Sequence, residues 1–346
     1  MQGLLFQGVR QIEYRDDLPE PTIEQSANAI IAVSRAGLCG SDLHTYEGRE
    51  TARPGVVPGH EAVGQIVEAG DEVSRFTQGD RVLVAFTTSC GKCHACRHGL
   101  AARCRLGQLF GWGDPTNLEA PALHGGQASM LRVPLADGTL VRIPAGMSDE
   151  QAVLLTDNLP TGWYAAERSD PVAGEPAMVV GLGSVGLSAI VSLRSLGAHP
   201  IFAVDPIEDR LMRSERLGAI PMSPGDAGLP ADLPAVVEAA GTAGAQAFAF
   251  RSVRPGGTLS VIAVQTEITF PFTPIEAYDS NITVRFGRAP VRSVLDRILP
   301  MIEDGRLSVP DEAVVTHPAE PLSEGPSLYR RFAEREPGLV KALFAP

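Results

Sequence analysis

The chain has 346 residues, which is long enough for two domains with substantial cores. Its hydrophobic fraction of 44% and charged fraction of 20% are typical of globular proteins. The net charge of −12 argues against a nucleic-acid backbone or an anionic membrane surface as a partner. The first ten residues lack a basic region followed by an apolar run, so they do not predict a signal peptide.

The first 150 residues are rich in short alternating runs. Residues 62–67 and 80–86 are examples, and they predict β-strands joined by turns. The same region holds Cys39, His60 and Glu61, and Asp157 follows just beyond it. A thiolate, an imidazole and one or two carboxylates suit an open, catalytic zinc site with a position left for substrate. Taken singly, the cysteine could be buried packing, the His–Glu pair a surface or core pair, and Asp157 a turn or cap residue.

A second metal-ligand pattern follows at Cys90, Cys93, Cys96 and Cys104. The spacing Cys-x2-Cys-x2-Cys-x7-Cys uses four of the five cysteines of the chain. Four thiolates on short loops can close a tetrahedron around Zn²⁺, the usual geometry of a structural site. The alternative is buried or disulfide-bonded cysteine, but disulfides this dense belong to small secreted chains.

Residues 151–289 alternate short apolar runs with helical stretches, which predicts βαβ units on a parallel sheet. Strands are expected at 177–180, 201–205, 235–239 and 258–264. Residues 176–193 are uncharged, yet their glycines favour a strand, a turn and a helix over a membrane span. Further on, residues 293–303 predict a helix.

The turn after the first of these strands reads Gly181-Leu-Gly183-Ser-Val-Gly186. Such a turn lets a pyrophosphate approach the backbone and the N-terminus of the following helix. Asp205 ends the next apolar run, where a carboxylate accepts hydrogen bonds from the adenosine ribose and favours NAD over NADP. The alternative is that the glycines only punctuate a packed βαβ unit. The predicted coenzyme residues are Gly181, Gly183, Ser184, Val185, Gly186, Asp205 and Arg210.

Together these motifs resemble those of the zinc-dependent medium-chain alcohol dehydrogenases. The segment Gly59-His60-Glu61-x2-Gly64-x5-Gly70-x2-Val73 matches the zinc signature of that family at every defined position. The resemblance implies an α/β protein with a GroES-like, β-rich catalytic domain at 1–150 and 290–346. A Rossmann domain with a doubly wound parallel sheet is expected at 151–289. The chain looks most like a bacterial branch related to formaldehyde, threonine and polyol dehydrogenases.

The resemblance also implies which residues act at the metal. Cys39, His60 and Asp157 become ligands of the catalytic zinc, and Glu61 approaches the metal or supports its ligands. Asp42 is expected to accept the second ring N–H of His60. The cysteines at 90, 93, 96 and 104 become the structural site, so two Zn²⁺ are expected per chain.

The implied proton path begins at Ser41, whose hydroxyl would hydrogen-bond the alcohol oxygen. His44 would form the far end of the relay, and an unperturbed histidine pKa near 6.5 suits that task. Trp112 is assigned to the substrate pocket, with plain core packing as the alternative.

The expected function is hydride transfer between an alcohol, or its aldehyde or ketone, and NAD(H). The alternatives are a biosynthetic reductase of C=O or C=N bonds and a non-catalytic protein that binds zinc and a nucleotide. We expect a cytoplasmic homodimer or homotetramer with no nucleic-acid or membrane partner.

Overall fold

The computed structural model describes residues 1–112, 122–266 and 268–346. Up to residue 157 the elements are, in order, β1 (Gly3–Gly8), β2 (Gln11–Arg15), β3 (Ala29–Leu38), α1 (Asp42–Tyr46), β4 (Ala62–Ala69), β5 (Arg81–Val84), α2 (His94–Arg97), β6 (Met130–Val133), α3 (Ala136–Thr139), β7 (Leu140–Arg142) and α4 (Asp149–Leu154). Short 3-10 helices lie at Ala101–Arg103 and Leu322–Glu324.

The central part continues with α5 (Asn158–Arg168), β8 (Ala177–Val180), α6 (Ser184–Ser195), β9 (Ile201–Val204), α7 (Glu208–Arg216), β10 (Ile220–Met222), β11 (Leu233–Glu238), α8 (Ala243–Ser252), β12 (Val253–Val261), α9 (Pro274–Asp279) and β13 (Thr283–Phe286). The last elements are α10 (Val291–Glu303), α11 (Asp311–Val314), β14 (His317–Pro321), α12 (Gly325–Ala333) and β15 (Ala342–Ala345). Within the described residues, each helix is either too short or too polar to cross a membrane.

The first compact unit comprises residues 1–157, 290–297 and 315–346. Its main sheet has the order β14-β15-β3-β4-β5-β7, and β6 also pairs with β3. The pairs are antiparallel except for β14 with β15. One long strand, β3, pairs with β4 on one side and with β6 and then β15 on the other. This register brings the C-terminal strand next to the end of β3.

The second compact unit comprises residues 158–289 and 298–314. Its six strands are all parallel and have the order β10-β9-β8-β11-β12-β13. Every residue of the two central strands, β8 and β11, is buried. A strand covered on both faces reads as a continuous apolar run, which is why these strands could be predicted from sequence.

The predicted elements differ from the observed ones mainly at their ends. The strand at 177–180 is confirmed, and those predicted at 201–205 and 235–239 occur at 201–204 and 233–238. The strand expected at 258–264 is longer at its start and ends at Val261. Residues 298–314 group with the second unit rather than with the predicted 290–346 segment, because α11 packs against α6 and α7.

Candidate metal and nucleotide sites

A cluster of ligating side chains forms where β3 ends and β4 begins. Cys39 directly follows β3, and His60 and Glu61 directly precede β4. The Gly37 N–H donates to the carbonyl of Glu61 at 3.0 Å, which holds the two strand ends together. Asp157 joins them, and the ligand atoms of Cys39, His60, Glu61 and Asp157 all lie within 4.8 Å of one another. The structure therefore brings together all four residues of the predicted catalytic set.

The spacing of three of these donors fits a zinc ion. Cys39 Sγ lies 3.7 Å from Asp157 Oδ2, and His60 Nε2 lies 3.4 Å from the same oxygen. Zinc bonds of about 2.0–2.3 Å in a tetrahedron place neighbouring ligand atoms about 3.3–3.8 Å apart. One thiolate, one imidazole and one carboxylate are also the donor types of catalytic zinc sites. Both the donor types and the distances between the donor atoms are therefore those expected for a zinc site.

Ser41 stands at the same cluster. Its Oγ atom lies 3.2 Å from Cys39 Sγ and 3.3 Å from His60 Nε2. The hydroxyl is therefore in contact with two of the three donor atoms.

A buried chain of hydrogen bonds orients the imidazole of His60. His60 Nδ1 lies 3.1 Å from Asp42 Oδ1, which leaves Nε2 for the cluster. The other oxygen of Asp42 accepts the Cys39 N–H at 2.9 Å. Gln127 Nε2 donates to Asp42 Oδ2 at 3.4 Å, and the Tyr329 hydroxyl donates to Gln127 Oε1 at 2.7 Å. The contact expected between Asp42 and His60 is present, whereas Gln127 and Tyr329 carried no sequence pattern that pointed to the site.

Burial and charge act in opposite directions on the ligands. Burial alone lowers the pKa of His60, but the carboxylates of Asp42 and Asp157 raise it well above its usual value. Burial raises the pKa of the Cys39 thiol, and the ammonium group of Lys341 only partly opposes this. A cation at the cluster would favour the thiolate, which is the form that binds metals.

Glu61 has a partner that the sequence analysis missed. Its Oε2 atom forms an ion pair with Lys341 Nζ, and both side chains are fully buried. Burial raises the pKa of Glu61, and the charge of Lys341 counteracts that rise. A lysine inside the apolar run Leu339–Ala345 was the available signal, because a cation there needs a buried partner.

His44 lies in α1 and differs from the expectation. Burial lowers its pKa to about 4, and the guanidinium of Arg49 adds to the effect. Its Nδ1 atom is buried and has no hydrogen-bond partner among the described residues. The expected pKa near 6.5 is therefore wrong for this environment. The His44 backbone N–H donates to the Ser41 carbonyl at 3.1 Å, but no hydrogen bond joins the two side chains in the described structure.

The four remaining cysteines form a second cluster around α2. All five cysteines of the chain are free thiols, so the disulfide alternative is excluded here. Cys93 Sγ lies 3.5 Å from Cys96 Sγ and 3.9 Å from Cys104 Sγ. Four sulfurs bound to zinc at about 2.3 Å lie about 3.8 Å apart. Backbone N–H groups from Cys96 and Arg105 lower the pKa of Cys93 to about 6, which favours a thiolate. The cluster fits a closed zinc site.

The glycine turn joins β8 to α6. Gly181 has φ +90°, and a Cβ on Gly186 would lie 1.9 Å from the Gly181 carbonyl oxygen. Side chains are thus excluded at both ends of the turn. A Cβ on Gly183 would meet no atom within 4 Å. Gly183 caps the twelve-residue helix α6, whose first two residues are Ser184 and Val185. The N-terminus of this helix therefore has room for a phosphate.

Asp205 directly follows β9 and reaches this turn. Its Oδ2 atom accepts the Leu182 N–H at 2.8 Å, and Oδ1 accepts the Ile207 N–H at 2.9 Å. Arg210 NH1 lies 3.6 Å from Oδ2. Each carboxylate oxygen has a second lone pair, so these bonds leave acceptor capacity for a ribose. The structure brings Asp205 and Arg210 to the glycine turn.

Trp112 is half-buried, and its indole N–H donates to the carbonyl of Thr51 at 3.2 Å. This contact ties the ring to the backbone of its own unit. The assignment of Trp112 to a substrate pocket stays a prediction.

The chain is similar to known alcohol dehydrogenases in sequence and in fold. Residues 25–145 match the alcohol dehydrogenase GroES-like domain. A probable zinc-binding alcohol dehydrogenase of Mycobacterium tuberculosis is 38% identical over 94% of this chain and 84% of the relative. Zinc-type alcohol dehydrogenase B of Aspergillus flavus is 34% identical over 95% of this chain and 78% of the relative. The solved structure of alcohol dehydrogenase TADH from Thermus sp. ATN1 is 33% identical, with a TM-score of 0.90 over 100% of this chain and 99% of that chain.

Proposed function

The chain belongs to the zinc-dependent medium-chain alcohol dehydrogenases, and we propose that it transfers a hydride between a small-molecule alcohol and NAD. The observation that carries this proposal is the convergence of Cys39, His60 and Asp157 at zinc-ligand distances. The Ser41 hydroxyl lies beside them, 3.2 Å from Cys39 Sγ and 3.3 Å from His60 Nε2. The oxidised product would be an aldehyde or a ketone.

We assign metal binding and proton transfer to different residues of the site. Zinc held by Cys39, His60 and Asp157 would supply Lewis-acid polarisation of the alcohol oxygen. Ser41 is placed to accept the hydroxyl proton of the substrate while its own hydroxyl proton passes on toward solvent. We assign His44 to the far end of this proton path, where a neutral imidazole accepts a proton and releases it to solvent.

The four-cysteine cluster is proposed as a second, structural zinc site, giving two zinc ions per chain. Its donors are Cys90, Cys93, Cys96 and Cys104. Because all four positions of a tetrahedron are filled by thiolates, no position remains for a substrate.

The coenzyme is proposed to bind at the glycine turn as NAD. Gly181, Gly183 and Gly186 leave the backbone free to meet the pyrophosphate, with Ser184 and Val185 at the helix N-terminus. NAD would supply the hydride acceptor, and the carboxylate of Asp205 supports NAD because it repels a 2′-phosphate.

We also propose that the chain forms a homodimer, and that it does so in the cytoplasm, which is a reducing compartment. The strand at one end of the parallel sheet, β13, carries Phe286, whose ring centroid lies 5.0 Å from that of Phe270, and the Phe270 side chain is 55% exposed. A second copy pairing with this strand would cover both its backbone and these rings. The free thiols fit a reducing environment.

The test of the function is Ser41→Ala. Loss of the proton acceptor should lower the rate of alcohol oxidation by about 10²–10⁴-fold. Zinc content and NADH affinity should stay unchanged, because Ser41 is not a zinc ligand. Ser26→Ala, at an exposed serine, is the matched control. The proposal fails if Ser41→Ala keeps full activity, or if the zinc-loaded wild type oxidises no alcohol and reduces no aldehyde or ketone with either coenzyme.

A further inference from the structure

Glu238 is the last residue of β11, and its side chain is fully buried at the carboxyl edge of the parallel sheet. Its Oε1 atom accepts the Ala240 N–H at 2.9 Å and the Gly241 N–H at 2.7 Å. Its Oε2 atom is also buried and has no hydrogen-bond partner in the described parts of the chain. Oε1 thus accepts two hydrogen bonds, whereas Oε2 accepts none from the described residues.

The turn that Glu238 holds lies against the glycine turn. A Cβ on Gly181 would lie 2.7 Å from the Cβ and N atoms of Ala240. The strand register places Val180 beside Glu238, and the Ala239 N–H donates to the Val180 carbonyl at 2.8 Å. By accepting the N–H groups of Ala240 and Gly241, the carboxyl group of Glu238 therefore holds the backbone that lies against Gly181.

The surroundings of Glu238 favour its neutral form. A buried, ionised carboxylate with an unpaired oxygen costs far more free energy than a neutral acid in the same place. Burial raises the pKa of Glu238 to about 7, although the two backbone N–H donors oppose the rise. In the neutral acid, the carbonyl oxygen can accept both N–H groups while the protonated oxygen takes the unpartnered position.

No cation faces Glu238 from the described elements that pack against β11. The titratable residues of α6, α8 and β12 are Arg194, Arg251 and Arg254. Arg194 and Arg251 lie in the last turns of α6 and α8, and Arg254 lies at the start of β12. These positions are at the amino edge of the sheet, opposite to the carboxyl edge where Glu238 lies. At the carboxyl edge, Asp205 follows β9, two strands or about 10 Å away, and is bound to Leu182 N–H and Arg210.

We propose that Glu238 is a positioning residue for the coenzyme, holding the turn at 239–241 against Gly181, and that it does so as a neutral acid once the coenzyme is bound. This inference rests on the proposed coenzyme site. The pyrophosphate brings negative charge to the N-terminus of α6, and added negative charge favours the neutral form of a nearby acid. Coenzyme binding then takes up a proton from solvent near neutral pH, and affinity falls as the pH rises.

The experiment is calorimetry of NADH binding to the zinc-loaded protein, with NADPH in parallel. Titrations at pH 7 in two buffers with different ionisation enthalpies should show uptake of about half a proton per coenzyme. The Kd should rise about tenfold from pH 6 to pH 8. Glu238→Gln keeps the Oε1 acceptor but cannot ionise, so its Kd should be nearly constant over this range. Glu215→Gln, at an exposed glutamate of the same unit, should keep the wild-type profile.

The outcomes separate the two proposals. Wild-type protein that binds coenzyme without proton uptake, or Glu238→Gln with the wild-type pH profile, overturns the role of Glu238 and leaves the coenzyme site standing. If Glu238→Gln does not fold, the proton count of the wild type decides the matter by itself. Binding of neither coenzyme at any pH overturns the proposed coenzyme site, and the role of Glu238 with it.

Discussion

Lys341 and Glu61 form a fully buried ion pair directly behind the zinc-ligand cluster. Lys341 is adjacent to the first residue of β15, whose Ala342 pairs with Leu38, the residue before Cys39. Burial lowers the pKa of Lys341, but Glu61, Cys39 and Asp157 together raise it above its usual value. Lys341 therefore supplies a positive charge beside a cluster that is rich in acidic groups. It also engages Glu61, one of the two carboxylates of the cluster.

Replacing Lys341 by Met should lower the free energy of unfolding by on the order of 3–5 kcal/mol, because Glu61 is left buried without its partner. Adding Glu61→Gln to the same chain should recover most of the loss, since the unpaired charge is then removed. Denaturant unfolding measures both. Lys92→Met is the matched control, because Lys92 is exposed and is the only other lysine of the chain. An equally small decrease in the free energy of unfolding for the two lysine variants would show that the Lys341–Glu61 ion pair does not stabilise the fold.

Cys93→Ser should remove one zinc ion per chain and lower the melting temperature, because metal binding at a closed thiolate site is part of the folding free energy. Cys39→Ser provides the comparison, since it should lose the other zinc and all turnover while the fold remains. Elemental analysis and thermal unfolding of both variants check the prediction. A Cys93→Ser protein with two zinc ions and unchanged stability would show that the cluster holds no metal.

Asp205→Ala should weaken NADH binding about ten- to a hundredfold, because a hydrogen bond to a charged group contributes roughly 1.5–3 kcal/mol. Removing the carboxylate should also relax discrimination against NADPH. Coenzyme titrations followed by fluorescence measure both effects. Asp226→Ala, which alters an exposed turn of the same unit, is the control. Unchanged coenzyme preference would make Asp205 a structural residue of the turn only.

His44→Gln should lower alcohol oxidation by the same factor at every pH between about 6 and 9, because a group with pKa about 4 stays neutral over that range. An unperturbed histidine would instead produce a defect that grows below neutral pH. The folded-state pKa lies below the unfolded value, so this residue contributes stability above pH 6.5 that is lost as the pH falls toward 4. Rate profiles and unfolding curves across pH test both statements, and an inflection near pH 6.5 that disappears in the variant would refute them.

The zinc and nucleotide motifs could be read from the sequence because their chemistry uses few residue types at short spacing. Cys90 to Cys104 lie within one loop region, and the turn from Gly181 to Gly186 is continuous. The central strands β8 and β11 could also be predicted from the sequence, since burial on both faces leaves apolar residues at every position except Glu238, the last residue of β11. In these cases the interacting residues are neighbours along the chain.

Contacts between distant segments were decided only by the tertiary structure. Lys341 meets Glu61 across 280 residues, and Tyr329 meets Gln127 across 202, through strand register and helix packing that no local pattern encodes. The pKa values of His44 and Glu238 depend on burial, which is likewise a property of the folded chain. Local spacing thus determines the four-cysteine ligands and the glycine turn. The charge, orientation and protonation of the side chains around Cys39, His60 and Asp157 instead follow from which distant residues the fold packs against them.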